Sequence, residues 1–367
     1  MRHPGICSEG RKPNENKRAP WGPGKRGDTV SARRLKVFLT ADSEVWPTGI
    51  ANDRFGAADI RREFADQFAY YILGETAEGE FGIRHQMRML DTYGLKATFF
   101  QEVLFSDIAG RQWLADIVSM IGGRGHDIQL HVHTEWLGRP EMSLALPRRV
   151  NIRGYPFHDQ VSILARAASM LVEAGAPAPR AFRAGNFGAN HETLTALAGV
   201  GIAIDSSYNL PYVNKACALS SAQRLTVPTR IGAIMEYPVS FYFDYLSHAR
   251  PAHLIACSLR ELEWALCAAW RAAWPAFVIV WHSNELLRRR RHVADTVQPN
   301  HRIVDRFEGL LHFLAANQGR FECSVFRDCD TQHAGDSIAP PPIRGNPGLT
   351  ARRMFEGIFS QLPERRA

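Results

Sequence analysis

No CxxC pair, no long apolar run and no internal repeat occurs in this chain of 367 residues. Its six cysteines (Cys7, Cys217, Cys257, Cys267, Cys323 and Cys329) are scattered, which excludes a zinc knuckle and a thioredoxin-type redox site. A chain of this size needs no disulfide framework, so reduced, mostly buried thiols and a cytoplasmic location are expected. Without a long apolar run no transmembrane segment is expected. A general excess of basic charge is also missing. Residues 1–34 hold nine Lys/Arg against three acids and so carry +6 of the formal +7. The remainder is nearly neutral, which argues against a nucleic-acid-binding surface. That basic segment includes Pro4, Pro13, Pro20 and Pro23 and lacks an apolar stretch; it reads as a disordered N-terminal segment, neither signal peptide nor membrane anchor.

What is present is an ordinary globular composition, 45% hydrophobic and 22% charged, enough for a sizeable core. LKVFLTAD (35–42) is a short apolar run of β-formers that stops at a polar cluster, as a buried strand does. Residues 57–73 and 83–92 have helical patterns, the second closed by Gly94. Further strands are expected at 96–105, 126–133, 179–185, 201–205, 276–282 and 321–326, with 235–243 extended. Helices are expected at 111–121, 159–174, 190–198 (with Asn190 as cap), 259–273 and 302–317. Strands alternate with helices, so a parallel sheet or α/β barrel follows, occupying 35–330. A Pro-rich tail with a short amphipathic helix, 331–367, completes the expected organisation.

Chemically capable residues recur where apolar strands end. Asp42 and Glu44 follow KVFLT, His131 and His133 end DIQLHVH, Arg183 falls in AFRAG, and His282 follows FVIVW. In an α/β barrel those ends share one mouth. His131 and His133 lie two apart on a strand and share a face, so both imidazoles can reach one ion. Glu135 is a further ligand or the partner of a histidine. Asp42 and Glu44 also share a face, one suited to hold a metal and the other to accept a proton from water. His282 suits proton delivery to a leaving nitrogen. Arg183 suits an ion pair with Asp42 or a hold on substrate. Each residue alone has a structural explanation, as strand cap, turn former or buried ion pair; the set describes a hydrolytic metal site. Trp46, Trp136 and Trp281 lie beside these residues, and aromatic faces suit sugar rings. Arg288–Arg291 reads as a solvated helix start, or as a patch drawing an anionic saccharide.

These segments resemble the polysaccharide deacetylases, the NodB-type carbohydrate esterases, over roughly residues 35–327 and in the family's order. TADSE stands at the first Asp motif, GLKATFF (94–100) at the next strand and GHDIQLHVHTEW (125–136) at the histidine motif. FRAGNFGAN (182–190) is similar to the Arg motif, IDSS (204–207) to a later Asp-containing strand, and VIVWHS (278–283) to the final His motif. The subgroup around the lipopolysaccharide-biosynthesis protein WalW is the nearer likeness. The resemblance implies a distorted barrel of about seven or eight strands, one divalent metal (zinc, or cobalt, manganese or iron), Asp42 as base, His282 as acid and Arg183 orienting the base. It implies N-deacetylation of an acetylated amino sugar in polysaccharide or lipopolysaccharide biosynthesis. The alternatives are hydrolysis of a small N-acyl compound on the same fold, or an inactive saccharide-binding relative. Two positions depart from the family pattern. Ser43 stands where the family has its metal-binding aspartate, which makes Glu44 the candidate ligand. Glu135 stands where the family has its second histidine, so either His133 or Glu135 completes the set.

Overall fold

The computed structural model describes residues 34–46, 56–219, 224–245, 248–289, 297–331 and 340–359. The expected N-terminal segment therefore lies outside the described residues, apart from Arg34.

The main sheet has nine strands: β1 (Leu35–Ser43), β2 (Thr98–Glu102), β3 (Asp127–Val132), β4 (Ala181–Ala184), β5 (Ile204–Asp205), β6 (Thr229–Ile231), β7 (Ile234–Glu236), β8 (Ala276–His282) and β9 (Phe321–Ser324). Eight of them follow the order β8-β1-β2-β3-β4-β5-β7-β6, and all pair in parallel except the β6–β7 hairpin. β9 shares one edge of β1 with β2: it pairs with Leu35–Phe38, and β2 pairs with Thr40–Ser43. Helices α1 (Ala57–Phe68), α2 (Ile83–Thr92), α3 (Arg111–Gly122), α4 (Phe157–Glu173), α5 (His191–Gly199), α6 (Leu259–Arg271) and α7 (His301–Ala315) alternate with the strands, and α8 (Pro347–Phe359) follows.

Local chemistry accounts for the ends of these elements. Asn190 Oδ1 accepts from Thr193 N at 2.9 Å and starts α5. Ser258 and Glu261 form a reciprocal capping box at α6. Gly94, at φ +65°, takes the left-handed turn after α2. The helix expected over 57–73 runs regularly to Phe68 and then widens into a π-helix over Ala69–Leu73. The long strand expected at 96–105 ends at Glu102, because its carboxylate accepts from Leu104 N and Phe105 N and turns the chain there. Arg288 lies in a strand, Leu287–Arg289, paired with Val297–Pro299; the expected helix start is absent there, and Arg290 and Arg291 lie outside the described residues.

The sheet is curled into a half-barrel. β1 and β4 are three strands apart, roughly 14 Å in a flat sheet. Yet Arg183 on β4 reaches Asp42 Oδ1 at 2.5 Å and Thr40 Oγ1 at 3.1 Å on β1. The chain beyond β7 then joins the two ends of the sheet. Tyr237 N and Val239 N still bond on the β5 side, whereas Ser240 N donates to Val278 O of β8 at 3.1 Å.

Strand alternation therefore makes two cores. Val37, Leu39, Ala41, Phe99, Leu130, Phe182, Ile279 and Trp281 belong to the outer core under the helices. Phe38, Phe100, Ala181, Ile204, Met235, Val278 and Val280 fill the interior, floored by Phe326, whose ring stacks on Phe38 at 4.7 Å. Trp136 and Trp281 are fully buried in the outer core rather than facing the mouth: alternation along β8 turns Trp281 outward, and Trp136 packs there from the 3-10 turn Thr134–Trp136.

Candidate metal and hydrolytic centre

The interior face that carries Phe38 on β1 carries Thr40 and Asp42 next, and Glu44 just beyond the strand. The same alternation brings Gln129, His131 and His133 inward from β3, Arg183 from β4 and His282 from β8. Apolar side chains fill the floor, and polar ones fill the mouth above it. Asp42, Glu44, His131, His133 and His282 all line one cavity of about 320 Å³, with Trp46, Tyr71, Phe187, Tyr212, His253 and Asn284 around them.

Glu44, His131 and His133 each offer a ligand atom, all within 4.8 Å of one another, and all three are buried. His131 Nδ1 lies 2.7 Å from Arg183 O, and because that partner can only accept, Nδ1 carries the hydrogen. The lone pair is then on Nε2, which is buried with no hydrogen-bond partner. Burial also pushes the His131 imidazole down to about 4, so it is neutral at pH 7, as a ligand must be. Burial pushes the Glu44 carboxyl up, but His133 at 2.9 Å outweighs it and holds the group well below the usual carboxylate range. Burial likewise pulls His133 down, but Glu44 and Glu135 raise it to about 10. A buried Glu–His–His cluster with an ionised carboxylate and an orphaned imidazole nitrogen has the donor chemistry of a divalent-cation site. These residues fit such an ion.

Glu135 occupies the far side of His133. Its Oε2 is 3.3 Å from Nδ1, and its Oε1 accepts from Asn186 Nδ2 at 2.7 Å. Gly185 makes room for this ring: an added Cβ would meet His133 Nδ1 at 2.6 Å. Trp46 covers the site, donating from Nε1 to Glu44 Oε2 at 2.6 Å and meeting the His133 ring edge-on at 4.5 Å.

Arg183 is fully buried, its guanidinium 4.2 Å from the Phe100 ring centroid and bonded to Asp42, Thr40 and both Ser206 oxygens. So held, it fixes the Asp42 carboxylate at the mouth. Across the cavity, His282 Nε2 stands 3.3 Å from Glu44 Oε1, while Nδ1 stands 2.7 Å from Glu285 Oε1. Burial pulls the His282 imidazole down, but Glu285 and the mouth carboxylates raise it to about 9. Glu285 Oε1 meets a second imidazole, His253 Nε2, at 2.6 Å. Burial pushes Glu285 up, and His253 and His282 outweigh this and hold it at about 2.

Glu285, His253, Glu102 and Glu236 escaped the sequence. Glu285 and His253 lie just beyond β8 and in the segment that crosses its edge, without a strand-end signal. Glu102, behind His133, is pushed up to about 8 by burial. Glu236 on β7, in register with Asp205 of the IDSS motif on β5, is raised by burial and by Asp205, whereas Asp205 is raised by burial and lowered by Glu236. The sequence hint for Glu102 and Glu236 is a carboxylate inside an apolar strand, which burial makes costly unless partnered.

No family model matches the chain, and no curated protein matches it. Solved structures do. The chain is similar to a protein described as a polysaccharide deacetylase from Mycobacterium smegmatis, at 17% identity and a TM-score of 0.47, covering 82% of this chain and 91% of that one. It is similar to the 4-alpha-glucanotransferase of Thermococcus litoralis, at 11% identity and a TM-score of 0.47, over 90% of this chain and 46% of the other. A family 4 carbohydrate esterase from Streptomyces lividans, in complex with acetate, matches at 12% identity and a TM-score of 0.37, over 84% and 98% of the two chains. At these scores and identities the likenesses transfer neither activity nor substrate. Among the described residues no helix is long and apolar enough to cross a membrane, and the five described cysteines are free thiols.

Proposed function

We propose that the chain is a metal-dependent hydrolase that removes an N-acetyl group from an amino sugar. The orphaned Nε2 of buried His131, beside Glu44 and His133 and flanked by Asp42 and His282, carries this reading. Glu44, His131 and His133 would hold one divalent ion, zinc by preference for two imidazoles and a carboxylate. When bound, that ion supplies the Lewis acidity that polarises an acetyl carbonyl and acidifies the attacking water.

The chain's own groups do the rest. Asp42, fixed by Arg183, takes one proton from the water as its oxygen adds to the acetyl carbon. His282 faces it across the cavity and protonates the amine nitrogen as the C–N electron pair moves onto that nitrogen. Acetate and a free amine result. The cavity of about 320 Å³ sits at the small end of ligand pockets and suits one sugar unit, with Trp46, Tyr71, Phe187 and Tyr212 to stack on it. That size also supports the second reading, a small N-acyl substrate on the same fold. A cytoplasmic, WalW-like role in lipopolysaccharide precursor synthesis belongs to the proposal and is supported by the free thiols and the motif order.

The test is metal content together with acetate release from N-acetylhexosamine conjugates. Asp42→Asn should keep its metal and lose about 10²–10⁴-fold in turnover; His131→Ala should lose both. A wild-type protein that binds metal and sugar without releasing acetate would be a saccharide-binding protein instead.

A further inference from the structure

His253 has no part in the chemistry described so far, yet it is built into the same wall. It comes from the segment 252–254, which runs along the outer edge of β8. His253 bridges to Val280, Val280 N donates to Ala252 O at 3.0 Å, and Leu254 N donates to Val280 O at 2.9 Å. Arg306 of α7 ties down the same segment by donating to Leu254 O at 2.7 Å. The imidazole lines the cavity and meets Glu285.

A single oxygen, Glu285 Oε1, receives both His253 Nε2 and His282 Nδ1, at 2.6 and 2.7 Å. A carboxylate only accepts, so both nitrogens carry hydrogens. The other oxygen, Oε2, is buried with no partner. The hold on Glu285 therefore consists of these two imidazoles, and removing one leaves the carboxylate free to swing. The same three side chains are also grouped closely enough to ligate a metal. The hydrogen bonding decides against it: both imidazole nitrogens that face Glu285 are taken up by hydrogen bonds to it, and neither ring leaves a buried nitrogen without a partner, as His131 does at the other group.

We propose that His253 is a positioning residue: it clamps Glu285, which holds His282 in the tautomer and orientation that aim Nε2 at the leaving nitrogen. This rests on the hydrolase reading above. In the step concerned, the C–N bond breaks, its electron pair passes to nitrogen, and that nitrogen takes the proton from His282 Nε2, leaving a neutral imidazole. A substrate whose leaving group departs without a proton does not need the clamp.

The experiment compares an N-acetyl amino sugar with 4-nitrophenyl acetate in the full chain, for wild type, His253→Leu and His253→Gln. With His253→Leu, kcat on the amide should fall tenfold to a hundredfold, KM should shift little, and the aryl ester should lose at least tenfold less. His253→Gln, whose side-chain amide can still donate to Glu285, should recover most of the loss. Equal losses on both substrates, or a Gln variant no better than Leu, overturn the clamp. So does a bound-metal count of two in wild type falling to one in His253→Gln, since the trio would then be a ligand set. Imidazole ¹⁵N and proton spectra of the metal-free protein give a readout without turnover. The His282 Nδ1–H signal should persist in wild type and His253→Gln and be lost in His253→Leu; persistence in all three overturns the proposal. A wild type inactive on both substrates removes the hydrolase reading, and the spectra still decide the clamp.

Discussion

The floor and the mouth of the half-barrel are made by the same strands on the same face, a few residues apart. On β1, Phe38 packs against Phe326 at the floor, and four residues on Asp42 meets Arg183 at the mouth. On β8, Val278 belongs to the floor and His282 to the mouth. Asp42 and Arg183 are as buried as the floor and His282 is partly exposed, so burial alone does not separate the zones; the number of partners each side chain requires does. A floor residue needs only shape. A mouth residue needs a specific donor or acceptor, and His131 Nε2 still lacks one.

Breaking the floor should give the largest change. Phe38→Ala leaves a cavity between Phe326, Tyr237 and the β8 valines and should cost about 3–5 kcal/mol, read as a lower denaturant midpoint. Activity per folded molecule should hold near wild type. A matching loss of kcat would show that floor and mouth are mechanically one unit. At the mouth, Gly185→Ala drives a Cβ to 2.6 Å from His133 Nδ1 and should displace that ring. Metal affinity should fall about tenfold to a hundredfold, with a much smaller loss of stability; unchanged affinity would remove His133 from the ligand set.

The smallest effect tests a pair that belongs to neither zone fully. Asp205 Oδ2 and Glu236 Oε2 are both buried without a hydrogen-bond partner, and burial raises both carboxyls, so the pair keeps a proton to higher pH than free carboxyls do. Their folded pKa values are raised above the unfolded ones. The folded state therefore binds the extra proton, its stability is full below about pH 4.5, and it declines as pH rises from there. Glu236→Gln supplies a permanent donor and should flatten that decline, gaining at most about 1.4 kcal/mol per pH unit over wild type. Parallel pH–stability curves for the two proteins would show that the pair keeps no such proton.

Much of this comparison was legible before any coordinates. AFVIVWH as a strand coincides with β8, and Asp42, His131, Arg183 and His282 do converge, because alternation along a parallel strand makes the last inward residue a mouth residue. What stayed hidden depends on cross-chain register. His253 and Glu285 are 32 residues apart, in segments without periodicity, and become neighbours only because 252–254 lies along β8. The choice between His133 and Glu135 was undecidable from spacing. The structure groups His133 with Glu44 and His131 and sets Glu135 behind it, held by Asn186. The hairpin at Arg288 has no signature in the sequence, because a run of arginines carries no strand pattern.

The arrangement around β1 also sets a clock. Its partners come from 98–102, 276–282 and 321–324, so one whole edge and half of the other wait for segments synthesised far later. At roughly 5–20 residues per second, the edge of β1 that receives β8 stays open for tens of seconds after β1 is made. An apolar strand with open edges is a template for the wrong neighbour during that interval. The exposure of β1 during synthesis is thus a matter of topology, dictated by how late the polypeptide returns to pair with that strand.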